Sequence, residues 1–245
     1  MSLPANLIGM ALAVVIMTAG TILQSTVGFG LGLMAGPLLV LIDRSFLPGP
    51  MLFAAMFLAA FMAFRERRDI DWRGLKISIL GRLVSTLPAA LVVGMVSATV
   101  FDIIFGCLIL AAVGMSLIHT RIMPTRRNVF LAAIASGVMS TIGAIGGPPL
   151  ALVYQNMRGP QLRATLGALF AVGCLISLIA LTMVGRFRLA DLVRGGVLLT
   201  GVVAGLLFSR PLLRVLDQYS IRPYVLGMCT LAAVVVLIRA IMDFV

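Results

Sequence analysis

Arg82 is an arginine within a largely apolar stretch, residues 75–96, where a positive charge could bind an anion. Ten positions separate it from Trp72, a residue type that often marks a membrane interface. In a helix this separation amounts to about 15 Å, close to the middle of a ~30 Å hydrocarbon core. A charge at that depth is costly, so Arg82 is expected to face the protein interior.

Hydroxyl groups share the helical face of Arg82. Ser78 lies four residues before Arg82, and Ser85 and Thr86 lie three and four residues after it. Residues at these spacings are neighbours on the surface of a helix. A guanidinium flanked by hydroxyls is suited to hold an anion through charge-assisted hydrogen bonds. Two other interpretations stay open: Arg82 extends to the interface, or it pairs with a carboxylate such as Asp102.

Two apolar segments, 7–42 and 129–154, contain clusters of glycine and proline. Glycine removes steric restraint and proline removes a backbone donor, so both helices are expected to break at membrane depth. The N-terminus of a half-helix that follows a break attracts anions, although close helix packing would also explain the glycines. The clusters are Gly28, Gly30, Gly32, Gly36 and Pro37 in the first segment, and Gly143, Gly146, Gly147, Pro148 and Pro149 in the second.

Polar residues precede both breaks. Gln24, Ser25 and Thr26 come before the first, and Ser140 and Thr141 come before the second. Their side chains could replace water around a small anion, and the alternative is that the hydroxyls bond back to their own helix at i−4. The backbone N–H groups expected to join them are those of Gly28, Gly30, Gly143, Gly146 and Gly147.

Composition and segment length indicate what must position these residues. Only 11% of the residues are charged and 61% are hydrophobic, whereas a soluble domain carries roughly 25% charged residues. Because lipid offers no partner to an unpaired backbone group, the apolar segments are expected to be helices. The sequence therefore predicts an all-α polytopic membrane protein with about eight segments. These are 7–42, 50–64, 75–96, 101–118, 129–154, 162–184, 192–208 and 221–241.

The chain is predicted to be an internal duplication. Residues 25–28 read Ser-Thr-Val-Gly and residues 140–143 read Ser-Thr-Ile-Gly, at an offset of 115. The repeats are expected to span 1–122 and 125–245 within one integral membrane domain, as in transporters with a broken helix in each repeat. At an offset of 120 the counterpart of Arg82 is Val202, so an arginine-based site would be asymmetric.

The direction of the two repeats depends on whether the broken segments cross the membrane once or return as hairpins. Single crossings give parallel repeats and divide the basic residues twelve to six between the two sides, whereas hairpins give inverted repeats and a division of thirteen to five. Basic residues favour the cytoplasmic side, but both divisions satisfy that rule. Inverted repeats are slightly favoured, with the short arm 147–154 expected to be re-entrant.

Several other functions are disfavoured. The net charge of +11 arises from basic residues between apolar segments, which favours membrane topology over nucleic-acid binding. The three cysteines show no metal-ligand spacing, and there is no nucleotide-binding or hydrolytic motif, so no metal, cofactor or enzymatic activity is expected. The only histidine, His119, is expected to be structural. The expected partners are a small anion and the lipid bilayer, and a homo-oligomer is left open.

Three stretches resemble the TauE/SafE sulfite-exporter family, also called the TSUP family. Residues 28–39 are similar to its glycine-rich, proline-ended signature, 143–150 to the second copy, and the basic stretch 65–73 to a loop ending in Asp-Trp-Arg. The resemblance implies a secondary transporter of the bacterial cytoplasmic membrane that moves sulfite or an organosulfonate by alternating access. An anion channel is the first alternative, and a membrane enzyme or assembly factor is the second.

Overall fold

The computed structural model describes residues 3–117, 122–216 and 222–242, and these ranges contain helices and no strand. His119 and parts of the loops 119–127 and 210–222 lie outside the described residues. Two short 3-10 helices lie at Arg44–Phe46 and Arg67–Asp69. The α-helices are α1 (Leu3–Val27), α2 (Leu31–Ile42), α3 (Gly49–Arg65), α4 (Trp72–Met95), α5 (Ala98–Leu117), α6 (Arg126–Gly143), α7 (Gly147–Tyr154), α8 (Gly159–Met183), α9 (Leu189–Leu216) and α10 (Arg222–Met242).

The helices are those of a multi-pass membrane protein. Within the described ranges six of them are long and apolar enough to cross a bilayer, namely α1, α4, α5, α8, α9 and α10. α3 is apolar but shorter, with 17 residues. The eight segments read from the sequence become ten helices, because the first and the fifth segments are each divided in two. Both predicted helix breaks are therefore present.

The outer surface is apolar and polar side chains turn inward, as α4 illustrates. Its leucines Leu80, Leu83, Leu87 and Leu91 are exposed, on the face that would meet lipid. The opposite face buries Arg82 together with hydroxyl-bearing residues. Lipid does not reward burial of apolar side chains, so a membrane helix can direct its polar groups to the protein interior.

Each half-helix after a break turns back along the helix before it. In the first hairpin Gly20 of α1 faces Leu31 and Ala35 of α2, and Gly9 faces Ile42 farther along. In the second hairpin Gly146 lies against Ser136 of α6. Both hairpins thus begin and end on the same side of the helix bundle.

The hairpins pack on helices of the opposite half of the chain. Gly201 of α9 lies against Val14 and Met17 of α1, and Gly205 lies against Thr21, so α1 and α9 run parallel. In the same manner α6 runs parallel to α4. α3 and α8 pack antiparallel in the centre, and α5 packs on α10.

The helix directions sort the basic side chains between two ends of the bundle. The end at which α4, α6 and α8 begin is called the basic end, and the other is called the opposite end. Among side chains that the structure describes, nine cationic ones lie at the basic end and five at the opposite end. The nine are Arg65, Arg67, Arg68, Arg73, Lys76, Arg126, Arg127, Arg158 and Arg163, and the five are Arg44, Arg186, Arg188, Arg194 and Arg239.

Candidate functional site

The two helix breaks touch each other inside the bundle. Gly32, in the first turn of α2, lies so close to the carbonyl of Ala144 that a Cβ atom at this position would overlap with it. A Cβ atom on Gly147 would lie 3.0 Å from the Cβ atom of Phe29. Gly30 has a φ of 124°, a conformation that glycine adopts without the cost that a side chain would add. Glycine at these positions therefore lets two stretches of backbone approach directly.

A small cavity of about 30 Å³ lies where the breaks meet, with room for about two water molecules. Five of the site residues predicted from the sequence line it: Gln24, Gly30, Ser140, Gly146 and Gly147. The remaining lining residues are Leu31, Gly32, Leu33, Ala55, Ala144, Ile145, Pro148, Phe170 and Cys174.

Both half-helices begin at this cavity. Gly30 and Gly146, which precede α2 and α7, have no side chain that could cap the N–H groups at the starts of these helices. Gln24 supplies one partner, because its Oε1 accepts a hydrogen bond of 3.2 Å from the N–H of Leu31. Two helix N-termini consequently direct partial positive charge at one small volume, which favours an anion.

Ala144 in the second break adopts a backbone conformation that is unusual for alanine. Its φ is 57°, in the left-handed region, where a Cβ atom costs roughly 1–2 kcal/mol. In this conformation its N–H reaches the carbonyls of Met139 and Ser140 and ends α6. Such strain is typical of positions that a functional site holds in place.

Arg82 is completely buried and has no carboxylate partner among the described residues. Its Nη1 donates a hydrogen bond of 3.2 Å to Ser136 Oγ, and Ser136 Oγ donates one of 2.6 Å to the carbonyl of Gly146. Asp102 instead pairs with Arg44, at 2.6 Å. The two alternatives left open by the sequence, extension to the interface and pairing with Asp102, are therefore wrong.

The guanidinium of Arg82 lies directly behind the cavity wall. It covers Gly173 of α8 so closely that a Cβ atom there would overlap with the guanidinium carbon. The next residue, Cys174, lines the cavity. Arg82 therefore lies outside the cavity lining, next to α8, and is connected to the cavity through its hydrogen bond to Ser136 and the bond from Ser136 to Gly146.

Several other residues predicted for the site do not line the cavity. Ser25 and Thr26 donate to the carbonyls of Ile22 and Leu23, so they bond back to their own helix, at i−3 rather than i−4. Thr141 shares a hydrogen bond of 2.9 Å with Ser177, away from the cavity. Gly28 packs against Arg163 and Gly143 against Phe105, and neither lines the cavity.

Two predicted hydroxyls on α4 differ in their hydrogen bonding. Ser85 is buried and donates to the carbonyls of Gly81 and Arg82. Thr86 is also buried, and its Oγ1 has no hydrogen-bond partner in the described part of the chain.

Three residues near the cavity did not stand out in the sequence: Ser136, Gly173 and Cys174. Ser136 lies four residues before Ser140, and this helical spacing could have placed it on the same face. No comparable pattern marks Gly173 or Cys174, because α8 is apolar along most of its length. Their position follows only from the packing of α8 against α4.

Comparison with known proteins gives one match. The family model described as "Sulfite exporter TauE/SafE" matches residues 12–236, nearly the whole chain, which confirms the resemblance seen in the sequence. No curated protein and no solved structure matches the chain.

Proposed function

Because the chain belongs to the TauE/SafE sulfite exporter family, we propose that it is a secondary transporter that carries sulfite or a related organosulfonate across the bacterial cytoplasmic membrane. The family match supports the transport of a small sulfur-containing anion. The six apolar helices long enough to span a bilayer support a multi-pass position in the membrane.

The observation that carries this proposal is the convergence of positive charge on one cavity. α2 and α7 begin there, and the buried guanidinium of Arg82 is linked to the cavity residue Gly146 through Ser136. Sulfite and sulfonates present oxygen atoms that accept hydrogen bonds from backbone N–H groups and from arginine. The substrate is proposed to lie between the two breaks, with Gln24, Ser140 and Cys174 around it.

The two halves, 1–122 and 125–245, are proposed to be inverted repeats. Helix direction supports this proposal: α1 and α6 begin at opposite ends of the bundle, and so do α3 and α8. The packing of the broken helices also supports it. α1 packs on α9 of the second half, and α6 packs on α4, the helix of the first half that corresponds to α9. Inverted repeats of this kind suit a carrier whose site opens alternately to each side.

The basic end is proposed to face the cytoplasm. Cytoplasmic loops are enriched in lysine and arginine, and this end holds nine of the fourteen cationic side chains counted at the two ends. The beginning of α1 and the end of α10 then face the other side of the membrane.

Alternating access is proposed because polar contacts join the two halves at both ends of the bundle. At the basic end Arg163 Nη2 donates to Glu66 Oε1 at 3.0 Å, and at the opposite end Arg186 Nη2 donates to the carbonyl of Gly94 at 3.0 Å. The halves are proposed to separate at one end at a time, so that the substrate enters the cavity from one side and leaves it from the other.

Cys174 provides a direct test of the proposed site, because it lines the cavity. In a Cys107→Ala, Cys229→Ser background, methanesulfonate is expected to slow the reaction of Cys174 with N-ethylmaleimide. A matched variant retains only Cys107, an exposed residue, and its labelling rate should not change. An unchanged rate at Cys174 would place the substrate elsewhere.

Transport itself is tested in proteoliposomes. Liposomes loaded with unlabelled sulfite are expected to accumulate labelled sulfite transiently by counterflow, which a carrier supports and an open channel does not. Labelled sulfite that enters no faster than in protein-free liposomes would contradict the proposed function.

A further inference from the structure

One edge of the Arg82 guanidinium makes no hydrogen bond within the described residues. A guanidinium is planar and presents five N–H donors in a rigid fork. Ser136 occupies Nη1, while Nε and Nη2 have no partner. These two nitrogens lie side by side along the same edge of the group, so their N–H bonds point in nearly the same direction. The unpartnered donors are thus a matched pair rather than two scattered atoms.

The bond to Ser136 and the packing on Gly173 hold this edge in place. Nη1 is fixed by Ser136 on α6, and the plane of the guanidinium is held by contact with the backbone of Gly173 on α8. An arginine anchored at one nitrogen has little freedom to turn its remaining edge. The paired donors are therefore organised before any ligand arrives, which lowers the entropy cost of binding.

A third donor lies one helical turn away. Thr86 follows Arg82 by four residues on the same face of α4, and its buried Oγ1 also has no partner within the described chain. Buried polar groups without a partner are uncommon and costly, and the cost is greater when the group is charged. Three such donors on one helix face, in a family of anion transporters, point to a ligand that accepts all three.

We infer that the Nε–Nη2 edge of Arg82, together with Thr86, is a bidentate subsite that selects oxoanions, with two oxygen atoms on one central atom, over spherical halides. The inference rests on the proposed function and specifies how its site chooses a substrate. Sulfite and sulfonates can place two oxygens against the two parallel N–H bonds, whereas a halide offers a single acceptor. Arg82 does not line the cavity, so the anion is proposed to reach this edge when α8 or the second break moves aside.

The selectivity is tested by binding to the purified full-length protein, measured by titration calorimetry with methanesulfonate and chloride as probes. Methanesulfonate should bind, and an equal concentration of chloride should not displace it. Arg82→Lys keeps the positive charge and removes the fork, so it should weaken methanesulfonate binding about tenfold or more. The inference would be overturned if chloride competed equally with methanesulfonate, or if the Arg82→Lys variant bound methanesulfonate like the wild type. Neither result would contradict the proposed transport function.

Threonine variants provide the matched control. Thr86→Val is isosteric and removes the third donor, so methanesulfonate affinity should fall several-fold. Thr21→Val removes another buried hydroxyl without a partner, in α1, and should leave the affinity unchanged. An equal effect of the two variants would count against Thr86 as a ligand. A protein that is folded by circular dichroism but neither binds nor transports any anion would overturn the proposed function as well.

Discussion

Gly32 of the first break lies against the carbonyl of Ala144 in the second, with no room for a side chain between them. This contact joins the two halves of the chain at the cavity where α2 and α7 begin. Any displacement of one break relative to the other must alter it. The contact therefore links the geometry of the proposed site to the relative position of the two halves.

Gly32→Ala is expected to destabilise the protein, because the new Cβ atom overlaps with the backbone of Ala144 and backbone cannot give way cheaply. Its midpoint of thermal unfolding in detergent should fall by several degrees, and methanesulfonate binding should weaken. Gly196→Ala is the matched control, since nothing lies within 4 Å of the Cβ that it would add. Equal midpoints for the two variants would contradict the close contact.

Ala144→Gly is expected to stabilise the protein by about 1 kcal/mol, since glycine adopts the left-handed conformation without the penalty that alanine bears. Denaturation in mixed micelles measures the change. Ala135→Gly, within α6, should have the opposite sign, because glycine destabilises a helix interior by about 1 kcal/mol. A loss of stability in both variants would show that position 144 is not strained.

Ser136→Ala should lower the free energy of unfolding by roughly 1–3 kcal/mol, because it leaves Arg82 Nη1 and the carbonyl of Gly146 without their partner. Thr21 precedes Ser136 by 115 positions, the offset of the predicted duplication, and its hydroxyl has no partner among the described residues. Thr21→Val should therefore be neutral or slightly stabilising. If both substitutions had the same cost, the link from Arg82 to the second break would have no energetic role.

Glu66→Gln should open the basic end more often. Arg163 makes three hydrogen bonds to the Glu66 carboxylate and packs against Gly28 at the first break, so weakening the pair loosens the contact between α8 and the first hairpin. The expected result is faster labelling of Cys174 by N-ethylmaleimide. The double exchange Glu66→Arg with Arg163→Glu should restore the slower rate. If neither change altered the labelling rate of Cys174, the Glu66–Arg163 pair would not hold the basic end closed.

The sequence was sufficient for the helix breaks, and it favoured the burial of Arg82 without deciding it. Glycine and proline act locally on the backbone, so their clusters marked the interruptions at 28–30 and 144–146 without knowledge of the packing. The high cost of a charge in hydrocarbon favours an inward Arg82, but extension to the interface would avoid the same cost, and packing decided between the two. The predicted sharing of one face by Ser78, Arg82, Ser85 and Thr86 follows from helical periodicity alone, and all four are buried.

The tertiary structure decided which of these groups meet. Hydroxyls next to a break can bond to their own helix or face a cavity, and only packing selects between the two: Ser25 and Thr26 bond to α1, while Ser140 reaches the cavity. The partner of Arg82 was equally hidden, because Ser136 lies 54 residues away and the contact depends on how α4 and α6 align. Local chemistry determines where a membrane helix breaks and what it must bury, whereas contacts between distant segments are set by the crossing of whole helices.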